Sequence, residues 1–124
     1  MKRCAITGFI IWAAATAAIR LAGGGIFRLP APLLLAITLP LMIAVARMIL
    51  HDAPQRALAA IALVAPGMLL DTISAIWFSR IFPNIPPEAA GLFGGWLLFC
   101  NIVVLLTAVS WPARPASQSA AQSR

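Results

Sequence analysis

Four apolar runs, each close to twenty residues long and carrying at most one acidic group in its interior, constrain this chain more than any other feature. They extend over about 4–21, 32–50, 56–79 and 90–111. A helix crossing the hydrocarbon core of a bilayer needs about 20 such residues. None of the runs alternates apolar and polar residues as a lipid-facing barrel strand does. Backbone groups inside lipid must also satisfy one another, which leaves helices as the spanning element. The expected fold is all-α: four transmembrane helices in an up-down bundle, forming one domain over 1–112, followed by a disordered polar tail over 113–124.

Composition agrees with this. The chain has 124 residues, of which 62% are hydrophobic and 10% charged, and its mean hydropathy is +0.97. A soluble domain of this size buries only about 60–70% of the surface its unfolded chain exposes. It would leave too much apolar area in water. The segment after Lys2 and Arg3 has the outline of a signal peptide. Its apolar core runs to Arg20, a full span, and we read it as a helix that stays in the protein.

The net charge of +6 comes from nine Lys and Arg against three acids. The bases do not form a patch of the kind that binds nucleic acid. They punctuate the ends of the apolar runs instead. With an even number of spans, Lys2, Arg3, Arg47, Arg56, Arg114 and Arg124 fall on one side, and Arg20, Arg28 and Arg80 on the other. The positive-inside rule then predicts both termini in the cytoplasm. Trp77, Phe78 and Trp111, near run ends, are expected as interfacial anchors. Cys4 and Cys100 should differ in depth by about 12–14 Å, too far for a disulfide.

Asp71 is the one acid within an apolar run. A carboxylate near the bilayer centre costs about 2.5–3.5 kcal/mol on insertion scales, so it calls for a partner or a use. Arg20, about 6–7 Å further outward by helical rise, is the expected partner, in an ion pair that fixes helix register. The alternative is a carboxylate that takes up a proton or cation. Asn101 is the other strongly polar residue at this depth and is expected to bond across helices to Asp71, Thr38 or Thr16. Pro66-Gly67 and Pro40 are expected kinks. Gly91 with Gly95, and Ala13 with Ala17, have the spacing of close-packing faces, within the bundle or in a homodimer or larger membrane complex.

Catalytic signatures are not visible: the chain has no phosphate-binding glycine loop, no nucleophile elbow and no H-E-x-x-H. His51-Asp52 lacks the further ligands a metal needs, and Glu88 reads as a helix-entry charge. We expect no enzyme, no cofactor, no metal and no nucleic-acid partner. The bilayer is the expected partner.

The stretch A-P-G-M-L-L-D-T-I-S-A-I-W-F-S-R-I-F-P-N, Ala65 to Asn84, with G-L-F-G-G-W-L-L-F from Gly91, resembles a family of short bacterial membrane proteins known only as a domain of unknown function. The likeness rests on Pro66, Gly67, Asp71, Phe82, Pro83, Asn84 and Gly95; over the first half it extends only to helix count and size. It implies a four-helix, multi-pass protein of the bacterial cytoplasmic membrane with no assigned activity. Small multidrug-resistance transporters are similar in length and helix number. They rely on a glutamate in the first helix, where this chain has no acid. The expected function is a structural or accessory membrane protein, with a small proton- or cation-coupled transporter or channel using Asp71 as the alternative.

Overall fold

In the computed structural model, which describes residues 2–111, four long helices account for the apolar runs. They are α1 (Lys2–Ile26), α2 (Ala31–Leu50), α3 (Arg56–Ile76) and α5 (Ala90–Ser110), with the single-turn helix α4 (Phe78–Ile81) and a 3-10 turn (Pro87–Ala89) between the last two. Each long helix is long and apolar enough to cross a membrane. The expected tail, with Arg114 and Arg124, lies outside the described residues.

Two boundaries differ from expectation. Helix α1 continues through Gly23, Gly24 and Gly25 to Ile26, because the main chain there keeps helical hydrogen bonding, ending with Phe27 N–H on the Gly23 carbonyl at 3.0 Å. Helix α3 stops at Ile76. Pro66 and Pro40 both sit inside uninterrupted helices.

Successive spans alternate in direction, yet the close pairings are not between successive spans. Helix α1 packs on α3, α3 on α5, and α5 on α2. Gly8 meets Leu63 and Trp12 meets Gly67, so α1 and α3 run parallel. Trp96 meets Thr38, and Val103 and Thr107 share a groove with Leu39 and Ile43, so α2 and α5 are parallel too. Helices α3 and α5 are antiparallel, with Ala59 and Ala60 near Ala108 and Val104 at one end and Asp71 near Asn101 further along.

The reason for the α1–α3 pairing is visible at Gly8. A Cβ there would overlap the backbone carbonyl of Leu63. Without a side chain, the two backbones approach as closely as small residues permit in membrane helices. Alanines play the same part where α2, α3 and α5 converge: Ala46, Ala59, Ala60 and Ala108 are buried with Leu50, Leu63, Val64 and Val104.

At the other end of the bundle the core is aromatic. Phe93 on α5 packs against Phe82 at 4.9 Å, Phe78 at 5.1 Å and Phe27 at 5.6 Å between ring centroids. Ile19, Leu34 and Ile85 complete the cluster. Phe78 is therefore a core residue, with 5% exposure, and not the interfacial anchor expected of it. The loop bearing Asn84 and Ile85 lies directly on α1. The Asn84 amide donates to the Ile19 carbonyl at 3.1 Å, and a Cβ on Gly24 would come within 2.8 Å of the Asn84 carbonyl oxygen.

Candidate functional site

Asp71 lies on α3 between the helices that flank it. Its Oδ1 accepts a hydrogen bond of 2.9 Å from the Trp12 indole Nε1 on α1. On its α5 side stands Asn101, whose side chain faces the Asp71 carboxylate. The Asn101 amide also donates to the Leu97 carbonyl of its own helix at 3.0 Å. One carboxyl group is thus held by two neutral side chains from two helices, Trp12 on α1 and Asn101 on α5.

Arg20 is not part of this site. The α3-facing stripe of α1 consists of Gly8, Trp12, Ile19 and Gly23, which contact α3 or the segment that follows it. Arg20 follows Ile19 and so lies about 100° round the helix from it. It is also eight positions beyond Trp12, about 12 Å along the axis. Its side chain is exposed. The expected ion pair is replaced by a bond to tryptophan.

Trp12 was the residue to look for. An indole N–H in the hydrocarbon region needs an acceptor, and Trp12 sits mid-span, away from the interfacial belt that most membrane tryptophans occupy. A second case of the same kind is Trp96, whose Nε1 donates to Thr38 Oγ1 at 2.9 Å, tying α5 to α2. Thr38 in turn donates to the Leu34 carbonyl at 2.7 Å.

Beside Asp71 a cleft of about 650 Å³ runs between α3 and α5. Its walls include Met68, Ala75, Gly94 and Leu97, and its polar groups are Asp71, Thr72 and Asn101. Leu69, Ile76 and Leu98 at its edge are 68%, 68% and 64% exposed, so the cleft opens sideways, toward lipid in a membrane-embedded chain. Thr72 donates to the Met68 carbonyl at 2.9 Å within its own helix. The size falls in the range of about 300–1,000 Å³ of small-molecule sites.

The other candidates separate from this site. Pro66 is half-buried, and Gly67 would place a Cβ at an ordinary 3.8 Å from Trp12. Pro40 is exposed on α2. Among the described residues nothing lies within 4 Å of a Cβ built on Gly91 or Gly95, so their spacing serves no packing between the helices described. His51 Nδ1 and Asp52 Oδ1 are 2.9 Å apart on the exposed loop. Cys4 and Cys100 are both free thiols.

Four membrane-length helices with a carboxylate set between three of them define a small multi-pass membrane protein. Within that class, the model of the family of unknown function DUF5367 matches residues 10–113, and the chain belongs to that family. No curated protein and no solved structure matches it.

Proposed function

We propose that the chain binds a lipophilic monocation at Asp71, entering laterally from the bilayer through the cleft between α3 and α5. One observation carries this reading: the intramembrane carboxylate is bonded to an uncharged indole and borders an apolar cleft of small-molecule size. In lipid, a negative charge with only neutral partners is an incomplete site that a cation completes. The reading involves no catalysis. We further propose a bacterial cytoplasmic membrane as its location. The end that holds Lys2, Arg3, Arg47 and Arg56 then faces the cytoplasm, by the positive-inside rule.

A structural or accessory role is the second reading, favoured by the Trp12 bond that ties α1 to α3. Asp71→Asn separates the two. Asparagine keeps an oxygen that accepts from the Trp12 indole but carries no charge. Equilibrium binding of radiolabelled tetraphenylphosphonium to the purified full chain is expected to be lost in Asp71→Asn while thermal unfolding changes little. Wild-type protein that does not bind the cation, or an Asp71→Asn variant that binds it equally well, refutes the binding reading.

A further inference from the structure

A second groove lies on the opposite side of α5, and its chemistry differs from that of the Asp71 cleft. It occupies about 340 Å³ between the parallel helices α2 and α5. Its inner part is formed by Leu39, Ile43, Val103 and Leu106, and its outer part by Arg47 and Trp111. From Leu39 to Arg47 the groove follows the helix axis for eight residues, about 12 Å. It is therefore apolar at depth, basic at the mouth and parallel to the direction of acyl chains. Trp111 also carries the Arg56 guanidinium over its ring at 4.2 Å, which brings a second base to the same end.

We propose that this groove holds one anionic phospholipid, with an acyl chain along Ile43 and Val103 and its phosphate on the Arg47 guanidinium. Charge complementarity selects the occupant. Lys2, Arg3, Arg47 and Arg56 all lie at this end of the bundle, and juxtamembrane bases attract anionic headgroups. Two features make the contact depend on Arg47. The mouth is formed by the C-terminal ends of α2 and α5, whose carbonyl dipoles disfavour an anion. A guanidinium offers paired donors to phosphate oxygens. The site is independent of the Asp71 cleft, and Asp71→Asn leaves it intact.

Native mass spectrometry of the full chain released from detergent tests this, with phosphatidylglycerol and phosphatidylcholine of identical acyl chains added separately. Wild type is expected to retain one phosphatidylglycerol in preference to phosphatidylcholine. Arg47→Gln is expected to lower phosphatidylglycerol retention about fivefold, the loss of one surface base, and to leave phosphatidylcholine unchanged. Arg47→Lys should recover most of it, and Arg28→Gln at the far end should change nothing. Leu106→Trp, which fills the groove from an exposed position with Arg47 kept, should lower retention of the lipid as well. Equal retention by Arg47→Gln and wild type overturns the proposal. So does full retention by Leu106→Trp, which would reduce the contact to a headgroup on the surface. Displacement of the lipid by inorganic phosphate at equal concentration overturns it too, since the acyl chain would then contribute nothing.

Discussion

Gly8→Ala tests the part of the architecture that holds α1 in place. The added Cβ would overlap the Leu63 carbonyl, a backbone atom in the middle of α3 that cannot rotate away. The helices must separate, and overpacking of this kind costs about 1–3 kcal/mol. Separation also stretches the Trp12–Asp71 bond, one turn further along the same stripe; interhelical bonds in membranes average about 0.6 kcal/mol and reach about 1.7. The sum is about 2–5 kcal/mol. Gly25→Ala is the matched control, because a Cβ there meets nothing within 4 Å among the described residues. Reversible unfolding of purified protein in mixed micelles, followed by tryptophan fluorescence, measures both. Trp12→Phe in the Gly8→Ala background should cost less than in wild type, since the bond is already weakened. A Gly8→Ala protein as stable as Gly25→Ala would refute the close α1–α3 approach, and additive effects of Gly8→Ala and Trp12→Phe would refute the link between packing and the Asp71 bond.

Three further outcomes follow from the same geometry. Trp96→Phe removes the bond to Thr38 and should destabilise by about 0.6–1.7 kcal/mol, an effect that Thr38→Val should reproduce without adding to it in the double variant; additivity of the two would show that they do not share the bond. Phe93→Ala opens a cavity beneath Phe27, Phe78 and Phe82, and should fall near the low end of the ~3–5 kcal/mol seen for such truncations because lipid solvates the lost ring in the unfolded state; a change below about 1 kcal/mol would indicate that the cluster closes over the gap. Gly24→Ala should push the Asn84 loop away from α1, seen as faster cleavage near Pro83 in limited proteolysis of the folded protein, whereas Gly91→Ala should not.

The four spans and the oddity of Asp71 were legible because both depend on hydropathy, which each residue carries wherever its neighbours lie. The partners of Asp71 were not, because partner choice depends on rotation about each helix axis and on which helices touch. Depth alone made Arg20 a plausible counter-ion. Its position beside Ile19 turns it away, and the site goes to Trp12 on the stripe that Gly8 opens. The Gly8 contact had a faint signal, as an isolated glycine inside an apolar run. The spaced pair Gly91 and Gly95 was the more conspicuous pattern, yet among the described residues it faces open space. Spacing shows that two small residues share a face, and only the packing shows whether anything lies against that face. Phe78 illustrates the same limit. Its place at a run end suits an anchor, but α3 stops before it and the single turn of α4 carries its ring into the aromatic core.

The hydrogen bonds inside the bundle bear on what Asp71 is for. Thr38, Thr72, Asn101 and Thr107 bond to backbone carbonyls one turn back on their own helices, which satisfies a neutral group at little cost. Asp71 cannot be settled so cheaply. A charged carboxylate at the bilayer centre costs about 2.5–3.5 kcal/mol, whereas membrane hydrogen bonds of the kind Trp12 and Asn101 supply return about 0.6 kcal/mol each on average. If the Trp12 bond were the whole purpose, asparagine would make it without the charge, and the chain would be more stable for the exchange. The prediction is that Asp71→Asn unfolds at equal or higher denaturant than wild type while losing cation binding. A variant that loses stability by more than a single hydrogen bond is worth would place the carboxylate among the structural elements of the bundle instead.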